Sequence, residues 1–152
     1  MTKKVRTTPE FSRPLPIDRV PRKGSHEFVE ADTEERERLA KRFSIPALHS
    51  FSARLFIVPW RGGGVKVTGQ VEADLDQVSV VSVETFRQRE NFEVLRFFIP
   101  EGTPDDAGED DADPITNGEI DMGEIAAETL GLELDPYPRK PGEVFDTDVP
   151  KN

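Results

Sequence analysis

The sequence predicts an α+β fold: an antiparallel sheet of four or more strands with two flanking helices, barrel-like closure of the sheet being the alternative. Three observations predict it. From Phe51 to Ile99 apolar and polar residues alternate without a helical interruption, which argues for sequential antiparallel strands. Two segments with helix-capping chemistry bracket that tract, near 33–43 and 121–130. Only two of the 13 prolines but nine of the 12 aromatic residues fall within 22–99, so most of the core is expected there.

Residues 1–21 read as a basic, proline-rich arm. Residues 1–24 hold seven basic and two acidic side chains, so they carry +5 and the remainder −15 of the net −10. The first helix, 33–43, has Asp32 as cap and Glu35 three residues on. Glu34 and Glu35 open it and Lys41 and Arg42 close it, as the helix dipole favours. Its apolar face is narrow (Leu39, Ala40, Phe43), which places it at an edge of the core. Strands follow near 51–59 and 65–75, joined through Arg61-Gly-Gly-Gly64, where glycine supplies the positive φ of a hairpin. Val78 and Val80, then Val81 and Val83, switch parity, which reads as a bulge in a third strand near 78–86. A fourth strand spans 92–99.

Pro100 to Pro114 carries seven acidic residues, no basic ones, three prolines and two glycines, and reads as a disordered acidic loop. In the second helix Asp121 and Glu124 have capping-box spacing and Gly131 is placed to end it. Ile125, Thr129 and Leu132 share a stripe with Met122. Residues 22–145 thus make one domain, with 146–152 a flexible tail.

Composition excludes several chemistries. Without cysteine there is no disulfide, thiolate metal site or cysteine nucleophile. His26 and His49 lack metal-ligand spacing and read as strand or surface histidines. Asp105, Asp106, Asp110 and Asp111 lack the alternation of a calcium loop, and Arg61–Gly64 lacks the Lys-Ser/Thr of a phosphate cradle. The acidic body argues against a generic nucleic-acid binder, and no apolar run approaches a membrane span. The residues therefore describe a binding protein, expected in the cytoplasm, rather than an enzyme, with no cofactor, metal or small-molecule substrate expected; they do not fix the oligomeric state, for which a monomer is favoured.

Two stretches are more specific. Val67-Thr-Gly-Gln-Val-Glu-Ala73 with Gln77-Val-Ser-Val-Val-Ser-Val-Glu-Thr-Phe86 forms one. Gly118-Glu-Ile-Asp-Met-Gly-Glu-Ile-Ala-Ala-Glu128, Leu130, Leu132 and Leu134-Asp-Pro-Tyr-Pro-Arg-Lys-Pro-Gly142 form the other. Together they resemble the YceD family of large ribosomal RNA subunit accumulation proteins, in its alphaproteobacterial form. The resemblance implies a role in accumulation or processing of 23S-type rRNA and in large-subunit assembly. Many relatives carry Cys-x-x-Cys where this chain has Ser79-Val-Val-Ser82, so a thiolate role cannot apply here.

Within the family signature Asp121, Glu128, Leu130, Leu132, Pro136 and Pro138 read as structural: a cap, core leucines and a stiff exit. Candidate partner contacts are Lys3, Lys4, Arg6, Arg22 and Lys23 of the basic arm, and Tyr137, Arg139 and Lys140 on the proline frame. The partner is expected to be large-subunit rRNA, reached by the arm, or a basic ribosomal protein, reached by an acidic strand face of Glu72, Asp74 and Asp76. The alternatives are a Mg²⁺-dependent hydrolase or nuclease acting on precursor rRNA, and an interaction domain with a non-ribosomal partner.

Overall fold

The computed structural model describes residues 9–102 and 112–143. Lys3, Lys4 and Arg6, most of the acidic loop and the 146–152 tail lie outside the described residues.

The elements run β1 (Pro14–Pro16), β2 (Ser25–Glu30), α1 (Thr33–Phe43), β3 (Ala47–Trp60), β4 (Gly64–Val78), β5 (Thr85–Pro100), β6 (Ala112–Ile115), β7 (Glu119–Asp121) and α2 (Met122–Glu133). The main sheet has the order β2-β3-β4-β5-β6, and β1 pairs with β7 in a separate two-stranded sheet. The fold is α+β, with two corrections to the expected sheet. It is mixed, because β6 runs parallel to β5 from Phe97↔Ala112 to Pro100↔Ile115. It is also open, with β2 and β6 as its edges, so it forms no barrel.

The long β3–β4 hairpin follows its alternation and its glycine turn. Gly62 has φ +71° and Gly63 +81°, conformations that glycine adopts without a Cβ penalty. Phe51, Ala53, Leu55 and Ile57 of β3 lie beside Ala73, Val71, Gly69 and Val67 of β4, and these side chains bury one face. Gly69 is required there, because a Cβ would lie 2.0 Å from the Arg54 carbonyl oxygen.

The expected third strand, 78–86, is corrected. The parity switch marks a turn from Ser79 to Glu84, closed by Val83 N–H donating to the Ser79 carbonyl (2.9 Å) and Ser79 N–H to Glu84 (2.8 Å). Val83 takes φ +62° there, rare for a β-branched residue. β5 then starts at Thr85, seven residues before its expected start. The early part was hidden because Gln88 and Glu90 occupy inward-facing positions, opposite Leu75 and Ala73.

α1 forms as its caps predict: Asp32 accepts from Glu35 N–H and Glu35 returns a bond to Asp32 N–H, both at 2.8 Å. Leu39 is its buried anchor. α2 passes through Gly131 and ends at Glu133, because Gly131 serves close packing rather than termination: a Cβ would lie 2.7 Å from the Phe43 ring. Leu130 is buried, whereas Leu132, expected in the core, is 83% exposed on the far side of the helix. The core also takes in Phe11, fully buried, and Leu15 from the stretch expected to be an arm.

Candidate functional site

The first of the signature residues marks the start of α2. Asp121 sits at its N-cap in extended conformation and accepts from the Gly123 and Glu124 N–H groups at 3.0 and 3.2 Å. The same carboxylate reaches the opposite end of the chain. It accepts from Arg13 N–H and from the Ser12 hydroxyl, both at 2.7 Å. Met122 N–H donates to the Arg13 carbonyl at 2.9 Å. Contact is close enough that Gly123 admits no side chain, since a Cβ would lie 2.4 Å from the Phe11 carbonyl oxygen.

Arg13 carries the connection on to α1. Its guanidinium forms two parallel bonds with Glu35, at 2.8 and 2.9 Å, and a third with the Glu30 carbonyl at 3.0 Å. Arg13 and the Asp32 N–H hold the Glu35 carboxyl below the ordinary carboxylate range. Its contribution to stability is therefore present above that range and is lost as pH falls through the depressed value. Glu35→Gln should be less stable than the native chain at pH 7. The two should start to converge as pH falls out of the ordinary carboxylate range and coincide once it has passed the depressed value, as followed by denaturant unfolding across pH. A constant difference across that span would show that the ion pair does not carry the effect.

Further along α2 lies a row of alternating charges. Arg42 binds Glu124 at 3.1 and 3.2 Å and Glu10 at 3.1 Å. Arg96 binds Glu128 at 3.0 Å and Asp113 at 2.7 Å. Arg96, Asp113, Glu124 and Glu128 border a cleft of about 390 Å³ beside α2, together with Asp121. Burial pushes the Glu124 carboxyl up, opposed by Arg42 and reinforced by the neighbouring Glu128. Two carboxylates each held by an arginine suit cross-linking of α2 to α1 and to β5 better than proton transfer. Among the described residues no three histidine or carboxylate side chains gather as metal ligands.

The proline frame is docked to the β4–β5 turn. Val80 N–H donates to the Pro138 carbonyl at 2.8 Å, and the buried Ser79 hydroxyl donates to Glu143 at 2.6 Å. Lys140 pairs with Glu84 at 2.9 Å. Ser79 thus serves this chain as a hydrogen-bonding latch between the turn and the proline frame.

Among the described residues, the candidate contacts do not form one patch. Tyr137, 71% exposed, lies with Arg139 and Lys140 at the β4–β5 end. Arg22 and Lys23 are exposed just before β2, whose Ser25 pairs with Ile57 and through it with Val67, near the hairpin end. Some 12 residues of β4 separate the two groups, about 40 Å at strand rise. The acidic strand face is also corrected: Asp74 is buried beneath Arg87 (2.8 Å) and Arg89 (3.4 Å), and Asp76 meets His49 at 2.9 Å. Sequence reasoning missed Phe11, Arg13, Arg42 and Arg96. Arg96 had a signal, since it stands on the inward parity of β5 between Val94 and Phe98.

A family model described as large ribosomal RNA subunit accumulation protein YceD matches residues 67–151. The chain belongs to the YceD family. The family match runs from β4 through the docked turn, β5 and α2 to the proline frame, so it contains Asp121, Glu128 and Arg96 but not the Ser12–Arg13 segment that Asp121 holds. Neither a curated protein nor a solved structure matches. Among the described residues of this YceD-family chain, no helix is long and apolar enough to cross a membrane.

Proposed function

We propose that this YceD-family chain supports accumulation of 23S-type rRNA, and through it large-subunit assembly, by binding rather than by catalysis. The family assignment gives the biological direction. The observation that carries the binding reading is the state of the signature carboxylates. Asp121 is committed to backbone N–H groups and Ser12, and Glu124 and Glu128 to arginines, so these acids build the fold. Of the two partners, rRNA fits better than a basic ribosomal protein. Two of the three acids expected to receive such a protein, Asp74 and Asp76, already have cationic or histidine partners. The protein would work in the cytoplasm as a monomer without cofactor.

Deleting the protein should lower the ratio of large- to small-subunit rRNA, measured by quantifying the two mature species in exponential cultures. Purified protein should leave precursor RNA intact with Mg²⁺ present. A normal ratio in the deletion would remove the ribosomal reading. Mg²⁺-dependent cutting abolished by Glu128→Gln would establish the nuclease alternative, for which the Glu124–Glu128 pair in its cleft is the relevant observation.

A further inference from the structure

One face of the main sheet carries the core; the other is aromatic and basic at its hairpin end. His26 and Phe56 are cross-strand neighbours there with ring centroids 4.4 Å apart, and Trp60 and Phe97 approach to 4.6 Å. Phe28, on the edge strand β2, is 51% exposed, and the Arg54 guanidinium beside it lies 4.9 Å from its ring centre. Lys66 lies between Val58 and Phe97 on the same face. Arg22 and Lys23 reach its border through Gly24, whose backbone lies so close to the Phe56 ring that a Cβ would come within 2.5 Å. Among the described residues of these rows, one acid, Glu93, stands against these four cations, in the row of Phe28 and Arg54; Glu30 and Glu72 lie one row further on, and Glu101 follows the end of β5.

A solvated antiparallel face is ordinarily polar, and nothing in the core requires aromatic rings on this side. The chain as a whole carries −10, so collecting cations around these rings is a segregation of charge. Neighbouring strands stand about 5 Å apart and same-face residues about 7 Å apart along a strand, which suits successive unstacked bases. Rings supply stacking surfaces for bases of any sequence, and interleaved cations follow the phosphates. A duplex hides its base faces, and a flat sheet cannot enter the deep major groove of A-form RNA.

We propose that this face, built from His26, Phe28, Arg54, Phe56, Trp60 and Lys66, is a stacking platform for single-stranded RNA. The choice of RNA rests on the ribosomal reading above; the choice of a single strand rests on the rings. Arg22 and Lys23, at its corner, extend the platform's positive border.

Trp60 is the only tryptophan, so its fluorescence reports occupancy of the face in the unlabelled full-length protein. Titration with 12-nucleotide poly(U) and poly(A) RNA should quench it, and the annealed poly(A)·poly(U) duplex should bind at least ten-fold more weakly. Phe28→Ala should weaken single-strand binding about ten-fold, as loss of one base stack does. Arg54→Gln and Lys66→Gln together should flatten the salt dependence from a log–log slope of about −3 toward −1.5. Asn91→Ala, on the polar half of the same face, should change neither. Phe28 is half-exposed, so an unchanged melting temperature would show that its variant is folded; if it is not, the Arg54/Lys66 variant decides. Equal binding by native and altered proteins, equal affinity for duplex, or capture of a purified basic ribosomal protein on this face in place of RNA would each overturn the proposal. Normal rRNA ratios in cells carrying Phe28→Ala with Arg54→Gln would overturn it while leaving the ribosomal reading intact. Normal ratios in the full deletion would remove that reading, with the binding measurements still deciding the platform.

Discussion

Asp121→Ala is expected to lower the unfolding free energy by about 3–4 kcal/mol, well beyond the loss of a helix cap. A cap alone accounts for about 1 kcal/mol. The remainder, about 2–3 kcal/mol, comes from the bonds the same carboxylate accepts from the Ser12 hydroxyl and Arg13 N–H, about 1–1.5 kcal/mol each because both are only partly buried. Asp121→Asn should recover the cap and part of the latch. Ser12→Ala should cost about 1 kcal/mol in the native background and almost nothing in the Asp121→Ala background, because the partner is already gone. Urea unfolding of the native protein and the four variants measures all of this. A loss near 1 kcal/mol for Asp121→Ala, with Ser12→Ala additive to it, would reduce Asp121 to an ordinary cap.

Phe11→Ala is expected to cost about 3–5 kcal/mol, as large-to-small changes at fully buried aromatic positions do. Phe11 is completely enclosed, meets Phe51 edge to face at 5.8 Å and carries the Arg13 guanidinium 4.8 Å above its ring. The substitution therefore opens a cavity between the N-terminal segment and β3 and loosens the Arg13–Glu35 pair as well. Thermal melting and urea unfolding should both register it. A loss below about 1 kcal/mol would mean that the segment docks by its backbone alone.

Phe11 also shows why part of this fold could not be read in advance. It is one aromatic residue among prolines and basic residues, a context that reads as an arm, and its burial depends on distant partners, Phe51 of β3 and the Gly123 turn of α2. Local signals fared better. The Asp32–Glu35 box, the Gly62–Gly63 turn and the clean alternation of β4 were legible because each is a short-range rule obeyed by neighbouring residues. β2 was not, since Glu27 faces inward and Phe28 outward, the reverse of the usual pattern. The valines at 78–83 satisfied strand propensity while the Ser79 hydroxyl, accepting from Val81 and Ser82 N–H, folded them into a turn. Of the site, Asp121 was legible as a cap, but its second task was not. The outer aromatic face was visible only as the loss of alternation at Phe56 and Val58, and becomes a surface once Arg54, Phe28 and Lys66 are aligned by strand register.

The Ser12–Asp121 bond spans 109 positions, which sets a timetable for folding during synthesis. At about 5–20 residues per second, roughly 5–20 s pass between translation of this segment and translation of Asp121 and α2, which complete its docking. The β3–β4 hairpin, whose strands are sequence neighbours, is free to form early in that interval, whereas β1 waits for β7. During the wait Phe11 and Leu15 are apolar side chains without a groove, the kind of surface that holding chaperones bind. A translational pause before Asp121 would lengthen that exposure, so the last-made helix governs when the first-made segment is safe from aggregation.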